Sequence, residues 1–456
     1  MISRSPLRIA DLAGKRVAIW GFGREGQAAI TAIRSRLPRL PLTLFCSETE
    51  VGAAQAFDPS LDVRGEEPDA AALAMFDVAV KSPGISAYKP ALLAVREAGI
   101  RITSGTSLWF AEQPDARVVA ITGTKGKSTT TALLAHLARS LGVRTALAGN
   151  IGMPLLELLD QQAALWAIEL SSFQTGEAGP LELGVVTSLY EEHLDWHGSR
   201  ERYIADKLKL ADASRQLLVN GLQSSLLERT AGHPHRSLFG QPQGWHVAGG
   251  YVRRGSQPVF DTNLLRAPGE HNALNACAAL AALEAMGFDA LAAAPSLADF
   301  RPLPHRLQPL GEQGAHHWVN DSISTTPQAT LAALDSLAGQ QVTVIVGGHD
   351  RGLDWSEFVV AMQAQAPHAI VAQGANGPRI AQALREAGVA VEEAANVVAA
   401  VERARALTPV GGTIVLSPGA PSFDQFHDYA ERGRRFAELA GFDGHDIVGI
   451  EGLGVS

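Results

Sequence analysis

The segment from Val118 to Thr130, VVAITGTKGKSTT, constrains the fold more than any other stretch of the chain. Its β-branched start predicts a buried strand, and the apolar spacing from Thr131 to Leu141 predicts a helix. The glycine-rich turn between them carries Lys127 and Ser128. Backbone N–H groups, a helix N-terminus, a lysine and a hydroxyl are the groups that hold phosphates and Mg²⁺. The match to GxxxxGK[ST] lacks its first glycine, but the order of strand, loop and helix predicts a nucleotide-phosphate site.

Length and composition exclude several classes of protein. A chain of 456 residues is too long for one core and predicts about three domains. The net charge of −9 argues against a nucleic-acid partner, because phosphates would be repelled. Cys46 and Cys277 are the only cysteines, which leaves no disulfide framework and no zinc-type cluster. No signal-peptide pattern and no run of ~20 apolar residues is present, so we expect a cytoplasmic protein without membrane insertion.

A second glycine-rich turn, Gly21 to Gly26, follows a predicted strand at 15–20 and precedes a predicted helix from Gln27. This is GxGxxG in the context of a dinucleotide-binding domain, and Glu48 stands about where a ribose-binding carboxylate would lie. The loop is a diphosphate site at a helix N-terminus, whichever nucleotide carries the diphosphate. The turn therefore predicts a nucleotide-binding domain without naming the nucleotide.

Alternating strands and helices predict an α/β fold with mainly parallel, helix-covered sheets. A break at 111–115 and two prolines at 302 and 304 mark the boundaries. Polar or glycine-rich tips follow strands in each unit, so we expect a site in the cleft between domains and domain closure around it. The predicted domains are a Rossmann-like nucleotide domain at 1–112, a central P-loop domain at 113–300 and a second Rossmann-like domain at 301–456.

Two further side chains belong with the phosphate loop. Glu169 and His193 follow predicted strands of the same sheet, whose carboxyl ends meet at one edge. A carboxylate and an imidazole near Ser128 and nucleotide phosphates would make a Mg²⁺-phosphate site. The alternative is that Glu169 is a solvated strand end and His193 a helix cap. Their joint occurrence after a phosphate loop favours the functional interpretation.

The order of motifs along the chain is itself informative. It runs TGTKGKST, GNIG, ELSSFQ, EEHLDWHG, YIADK, GEHNALNA, RPLPHRLQ, NDS and SPGAPSFDQF. This order resembles the Mur ligase family of peptidoglycan synthesis over essentially the whole chain. The resemblance implies one domain each for a UDP-sugar, for ATP and for an incoming amino acid. It implies that ATP phosphorylates the carboxylate of UDP-N-acetylmuramoyl-L-alanine and that the amine of glutamate attacks the acyl phosphate.

The resemblance also implies roles for individual residues. The catalytic residues it implies are Lys127, Glu169, His193 and Lys207. The implied Mg²⁺ ligands are Ser128, Glu169, His193 and Lys207, the last as a carbamate. The implied ATP contacts are Gly123, Thr124, Lys125, Gly126, Lys127, Ser128, Thr129, Asn272, Arg306 and Asp321. Asn150 and Ser171 would contact phosphates and the acyl group. The resemblance also implies that the GxGxxG turn binds UDP, and the candidate contacts there are Gly23, Arg24, Glu25, Ser47, Ser82 and Gly84.

The sequence departs from the pattern of the members that add D-glutamate. Ile323 follows Asn-Asp-Ser where that pattern has a lysine, Arg351 also replaces a lysine, SPGAPS lacks a cysteine, and Tyr429 replaces a phenylalanine. An apolar side chain cannot pair with a carboxylate as an ammonium does. An arginine guanidinium binds a carboxylate with a geometry different from that of a lysine. The departures resemble the subgroup that adds L-glutamate, after which a separate epimerase acts. The candidate amino-acid contacts are Thr325, Arg351, Ser422 and Tyr429.

Other functions remain open at this point. The same ligation with D-glutamate is one alternative, and a NAD-dependent oxidoreductase using the first GxGxxG is another, although it leaves the second loop unexplained. A nucleotide-switched binding protein and a folylpolyglutamate synthase are further alternatives. We expect a monomer whose substrates are UDP-N-acetylmuramoyl-L-alanine and glutamate, with ATP and Mg²⁺.

Overall fold

A computed structural model describes residues 6–189, 199–266, 269–447, 450 and 452–456. The chain forms two compact units, one made of Met1–Phe300 with Gly452–Ser456 and the other of Arg301–Glu451. Strands alternate with helices along most of its length. The predicted α/β class is confirmed. Among the described residues, no helix combines the length and the apolarity needed to cross a bilayer.

The first sheet of the larger unit is parallel, with strand order β3-β2-β1-β4-β5. Its strands are β1 Val17–Trp20, β2 Leu42–Phe45, β3 Asp62–Arg64, β4 Val78–Lys81 and β5 Arg101–Thr103. The helices around it are α1 Arg24–Arg36, α2 Val51–Phe57, α3 Ala70–Leu73, α4 Pro90–Glu97 and α5 Gly105–Glu112. The strand order reverses between β1 and β4, so the loops after these two strands form the crevice where open α/β sheets bind ligands.

The second sheet of this unit has the order β11-β10-β9-β6-β8-β7, followed by a short closing strand at Gly454–Val455. Its strands are β6 Val118–Thr122, β7 Thr145–Gly149, β8 Leu165–Glu169, β9 Leu181–Val186, β10 Ser214–Asn220 and β11 Arg236–Phe239. An antiparallel sheet consists of β12 Trp245–Ala248, β13 Tyr251–Arg254 and β14 Gln257–Asp261. The helices are α6 Lys127–Ser140, α7 Arg200–Ala213, α8 Ser224–Arg229, α9 Glu270–Ala285 and α10 Ala290–Ala293. All five residues of β6 are buried, as expected for a central parallel strand.

A short closing strand follows the smaller unit in sequence and completes the second sheet of the larger unit. In it, Gly454–Val455 pairs antiparallel with β7. Ser456 O accepts a hydrogen bond from Thr145 N at 2.8 Å, and Gly454 O accepts one from Arg139 Nη2 at 3.1 Å. The segment covers an edge whose backbone groups would otherwise lack partners. A strand this short has no periodicity from which it could be predicted.

The smaller unit contains a mixed sheet with strand order β15-β16-β20-β17-β18-β19, in which the β15–β16 pair is antiparallel. Its strands are β15 Gln308–Gln313, β16 His316–Asn320, β17 Val342–Val346, β18 Ala369–Gln373, β19 Glu392–Ala394 and β20 Thr413–Leu416. Its helices are α11 Pro327–Ser336, α12 Ser356–Ala364, α13 Gly377–Glu386, α14 Val397–Leu407 and α15 Tyr429–Ala440. Short 3-10 helices lie at Ile9–Leu12, Glu48–Glu50, Leu155–Leu158, Thr175–Glu177, Thr262–Leu264, Ala294–Asp299 and Gly444–Asp446.

The alanine-rich segment from 276 to 285 packs inside the larger unit. It forms most of α9, and its alanines at 276, 278, 279, 281 and 282 are buried with Leu280 and Leu283. The helix packs against α6. Small side chains on α9 let it lie close to α6, so burial rather than exposure explains the composition.

Candidate functional site

The predicted phosphate loop joins β6 to α6. Gly126 caps the helix with φ +82°, a left-handed conformation that favours glycine, and an added Cβ would lie 2.4 Å from Asn275 Oδ1. The helix begins at Lys127, four residues before the predicted start at Thr131, because its first turn is polar and lies outside the apolar pattern. Lys127 and Ser128 therefore lie in the first turn, where helix N–H groups point toward an anion.

Hydrogen bonds from neighbouring strands fix the shape of this loop. Ser188 Oγ accepts from Lys125 N at 2.7 Å, and Thr187 Oγ1 donates to Lys125 O at 2.6 Å. Lys127 Nζ lies 3.4 Å from Thr124 O, so the ammonium folds back over the loop. Fixed backbone amides beside a cation make the loop suited to holding phosphates.

Glu169 is the last residue of β8, and its strand register places it beside Ile121, two residues before the loop begins at Gly123. Its side chain is 1% exposed. Asn150 Nδ2 donates to Glu169 Oε1 at 2.7 Å, whereas Oε2 has no hydrogen-bond partner among the described residues. The sequence alternative of a solvated strand end is wrong. A buried carboxylate oxygen without a partner is costly unless a cation or another donor binds it.

These residues fit a divalent cation of the Mg²⁺ type. Glu169 Oε2 and the buried hydroxyl of Ser128 are hard oxygen donors, which Mg²⁺ prefers. No cluster of three or more histidine, cysteine, aspartate or glutamate side chains suited to a metal occurs among the described residues. The other predicted ligand, His193, lies outside the residues that the structure describes.

Lys207 lies on α7, and its side chain is 2% exposed. Its Nζ is 4.9 Å from the centre of the Tyr203 ring, one turn earlier on the helix. Tyr203 OH is in turn 2.8 Å from Thr124 Oγ1 in the phosphate loop. The helix that carries Lys207 is therefore joined directly to the loop.

Asn272 was the candidate nucleotide contact on α9, and the structure adds Asn275, which the sequence interpretation missed. Asn275 Nδ2 is 3.4 Å from Asn272 Oδ1, and Asn275 Oδ1 is 3.4 Å from Thr130 Oγ1 of α6. The second asparagine thus lies directly over Gly126. Its spacing of three residues from Asn272 in GEHNALNA places both on one helix face, a signal that was available in the sequence.

The candidate UDP site lies at the crevice between β1 and β4. Ser82 Oγ is 3.3 Å from Gly21 O, and a Cβ on Gly26 would lie 1.9 Å from the same carbonyl oxygen, so only glycine fits there. The helix α1 begins at Arg24 rather than at Gln27, which places Arg24 and Glu25 in its first turn. The exposed candidates are Gly23, Arg24, Ser47 and Gly84. Asn150 is also exposed, whereas Ser171 is buried and donates to Gln174 Oε1 at 2.8 Å.

Glu25 has an unusual environment for a carboxylate. Burial, together with the nearby charges of Glu177 and Glu157, raises its pKa from 4.5 to about 7. Glu177 itself forms an ion pair of 2.9 Å with the buried Lys81 and accepts a hydrogen bond of 2.7 Å from Ser104 Oγ. Lys81 thus pairs with Glu177, and a large fraction of Glu25 is protonated near neutral pH.

We expect Glu25→Gln to stabilise the protein at high pH only. The folded chain binds this proton more tightly than the unfolded chain, so stability falls as pH rises from 4.5 to about 7. Glutamine removes that penalty, which should raise the free energy of unfolding by about 3 kcal/mol near pH 8 and leave it unchanged near pH 4. Thermal unfolding of parent and variant at both pH values measures this. Glu97→Gln, at an exposed position, is the control, and an equal shift at both pH values would contradict the assignment.

In the smaller unit, Asp321 follows β16 and is buried. Its Oδ2 accepts hydrogen bonds from Ser324 Oγ at 2.6 Å and Ser417 Oγ at 2.8 Å, and its Oδ1 accepts one from Leu307 N at 3.0 Å. Burial raises the pKa of Asp321 against the effect of these bonds. The carboxylate fixes the segment around Arg306, whose neighbours His305 and Leu307 have φ of 62° and 41°. Such left-handed non-glycine residues are strained and persist only where contacts hold them.

The candidate amino-acid contacts lie at the tips of the same sheet, after β16, β17 and β20. Thr325 is half-buried, Ser422 is buried, and Arg351 and Tyr429 are exposed. Arg432, which was not predicted, links these tips. Its guanidinium donates to Ser322 O at 2.9 Å, Ala420 O at 2.9 Å and Pro421 O at 3.0 Å.

Comparisons with known proteins agree with this geometry. Residues 121–283 match the Mur ligase middle domain, and residues 305–420 match the Mur ligase glutamate ligase domain. The UDP-N-acetylmuramoyl-L-alanine–L-glutamate ligase of Xanthomonas campestris pv. campestris strain 8004 is 52% identical over 98% of this chain and 100% of that protein. The chain belongs to the Mur ligase family.

Solved structures of Mur ligases share the fold. The UDP-N-acetylmuramate–alanine ligase of Thermotoga maritima has a TM-score of 0.57 at 19% identity, covering 93% of this chain and 98% of that one. A MurF ligase of Thermotoga maritima in complex with ADP has a TM-score of 0.57 at 15% identity, covering 96% and 97%. The three-domain α/β architecture predicted from the Mur ligase resemblance is confirmed, while the predicted domain boundaries and site residues stay predictions.

Proposed function

We propose that this chain is an ATP-dependent ligase that joins L-glutamate to UDP-N-acetylmuramoyl-L-alanine in peptidoglycan precursor synthesis. The observation that carries the proposal is the placement of Lys127 and the buried, half-partnered carboxylate of Glu169 at one sheet edge in a Mur ligase. The name of the 52% identical relative supports the substrates. The reaction class is amide formation through an acyl phosphate.

The phosphate loop supports the first step. Loop amides and the ammonium of Lys127 hold the phosphates of ATP, so that a substrate carboxylate oxygen attacks the γ-phosphorus and ADP leaves. Ser128 and Glu169 supply oxygen ligands for Mg²⁺, which when bound offsets the negative charge that develops during phosphoryl transfer. In the second step the neutral amine of glutamate attacks the acyl carbon, and as the amide forms the nitrogen gives up one proton to the departing phosphate or to solvent.

Two further assignments belong to this proposal. Lys207 reacts with CO₂ to give a carbamate, with loss of a proton, and so provides an anionic oxygen ligand together with His193. Lys207 is buried on a helix that Tyr203 joins to the phosphate loop, and an anionic carbamate there would attract the metal ions that the phosphates bind. The crevice between β1 and β4 takes the UDP group, with Ser82 and Gly84 on one side and the turn at Gly23 on the other.

The remaining assignments concern the contacts to the nucleotide and to glutamate, the oligomeric state and the cellular location. Asn272, Arg306 and Asp321 contact the nucleotide, and Thr325, Arg351, Ser422 and Tyr429 contact glutamate. An arginine such as Arg351 suits a carboxylate because its fork can bind both oxygens. The enzyme works as a monomer in the cytoplasm, where ATP is available, and a separate epimerase inverts the glutamyl residue afterwards.

A paired assay tests the proposal. Purified enzyme is incubated with ATP, Mg²⁺, UDP-N-acetylmuramoyl-L-alanine and either L- or D-glutamate, and product and phosphate are measured. We expect stoichiometric product and phosphate with L-glutamate, at a rate at least about tenfold above D-glutamate, which corresponds to about 1.4 kcal/mol in the transition state. Faster turnover with D-glutamate would reverse the stereochemical assignment, and phosphate release without either substrate would favour a nucleotide switch.

A further inference from the structure

A tyrosine in the segment after strand β4 contacts α7, the helix that carries Lys207. Tyr88 lies in the segment between β4 and α4, downstream of Ser82 and Gly84. Its hydroxyl is 2.8 Å from both carboxylate oxygens of Asp206, which is 118 residues away in sequence. Asp206 immediately precedes Lys207 on α7 and is 5% exposed. The contact therefore joins the candidate UDP crevice to the backbone that carries Lys207.

Asp206 makes further hydrogen bonds through its side chain and its backbone. Lys209 Nζ lies 2.6 Å from its Oδ1, and its backbone oxygen accepts from Thr175 Oγ1 at 2.6 Å. One turn earlier, Tyr203 OH lies 2.8 Å from Thr124 Oγ1 of the phosphate loop. The segment of α7 around Lys207 is thus held on one side by the phosphate loop and on another by Tyr88.

The protonation state of Tyr88 fits the role of donor. Burial, and then the hydrogen bond to Asp206, raise the pKa of Tyr88 to about 12. The phenol therefore stays neutral under working conditions and donates to the carboxylate. Arg202 lies over the Tyr88 ring at 5.3 Å from its centre, so a second residue of α7 also packs on this side chain.

We propose that Tyr88 and Asp206 are positioning residues for Lys207, coupling the segment beyond the UDP crevice to the placement of the Lys207 side chain over the Tyr203 ring, which in turn contacts the phosphate loop. The inference rests on the proposed function. Neither residue is assigned to a substrate or metal, and the pair acts through the backbone and rotamer of the neighbouring lysine. Small displacements matter here, since a shift of about 1 Å in a reacting group can cost about 100-fold in rate.

Substitutions of Tyr88 and Asp206 should lower kcat while leaving KM for ATP nearly unchanged. Tyr88→Phe removes the donor and keeps the ring, and Asp206→Asn keeps the shape and removes the charge. For both variants we expect kcat to fall by about 10- to 100-fold, with KM for ATP changed less than about twofold because the phosphate loop is intact. Tyr251→Phe removes a phenol from an exposed tyrosine of β13 and should leave both constants unchanged.

A second measurement is independent of turnover. In CO₂-free buffer Lys207 is a free amine rather than a carbamate. Its acetylation by an N-hydroxysuccinimide acetate ester, measured by mass spectrometry, then reports how firmly the buried lysine is held. We expect at least about threefold faster acetylation of Lys207 in Tyr88→Phe and Asp206→Asn, with Lys15 on the same molecule as the internal reference. Tyr251→Phe should match the parent.

The outcomes separate the two proposals. Parental kcat in both variants, or unchanged acetylation of Lys207, would overturn the positioning role while the ligase function stands. If the parent enzyme forms no amide product, the proposed function fails, and the acetylation rates alone decide whether the pair positions Lys207. A fall in kcat that is matched by general unfolding in the thermal melt would also count against the positioning role.

Discussion

Replacing Lys127 by methionine should lower the rate of amide formation by about 10³-fold without unfolding the protein. Methionine keeps an unbranched stem of similar length but removes the charge that neutralises the phosphates. In the structure Lys127 Nζ lies 3.4 Å from Thr124 O, over a loop whose backbone is held by Ser188 and Thr187. The loop should therefore keep its shape when the ammonium is lost. Coupled measurement of ADP and product formation gives the rate.

The matched control is Lys15→Met, since Lys15 is exposed before the amino end of β1, whereas the glycine turn follows the carboxyl end of that strand. We expect that variant to keep the parental rate. Thermal melts of both variants separate lost activity from lost structure. A Lys127→Met enzyme with more than about a tenth of the parental rate would show that the ammonium contributes less than about 1.4 kcal/mol to the transition state, contrary to the proposed role.

Replacing Arg432 by methionine should destabilise the smaller unit by about 3–5 kcal/mol. The arginine side chain is 1% exposed, and its guanidinium donates to Ser322 O, Ala420 O and Pro421 O and, through Nε, to Ser322 Oγ at 3.0 Å. Methionine cannot replace any of these donors, so several buried acceptors would lose their partner. Burial lowers the pKa of Arg432 to about 10, but the group stays charged near neutral pH.

Arg435→Met is the control for this change, because Arg435 lies exposed on the same helix in a surface ion pair of 3.0 Å with Glu438. Such pairs contribute at most about 1 kcal/mol. Thermal unfolding should show a transition lowered by about 10 °C for Arg432→Met and nearly unchanged for Arg435→Met. We also expect a raised KM for glutamate, since Ser422 and Tyr429 lie on the segments that Arg432 holds. An unchanged transition would mean that these backbone groups find other partners.

Local sequence patterns predicted much of the fold. The strands predicted at 15–20 and at the start of the segment from Val118 are β1 Val17–Trp20 and β6 Val118–Thr122, because uninterrupted apolar and β-branched residues suit a strand buried on both faces. The phosphate loop was found because glycine, lysine and serine have a fixed spacing between strand and helix. The helix start was placed late, at Thr131, since its polar first turn carries no apolar pattern.

Contacts between residues that are distant in sequence could not be predicted from local sequence patterns. Nothing local to Glu25 shows that Glu157 and Glu177 lie close enough to raise its pKa. The hydrogen bond between Tyr88 and Asp206 likewise depends on the packing of two distant segments. Arg432 was detectable in part: it shares a face of α15 with Phe436 and Ala440, and an arginine on a buried face needs partners.

Because the closing strand at Gly454–Val455 belongs to the larger unit, the smaller unit is inserted within the sequence of the larger one. The backbone crosses between them twice, at Phe300–Arg301 and again at Glu451–Gly452. A protease cut at Glu451–Gly452 therefore leaves the smaller unit covalently joined at Phe300–Arg301, whereas after a cut at Phe300–Arg301 the two fragments are linked through the hydrogen bonds of the closing strand to β7.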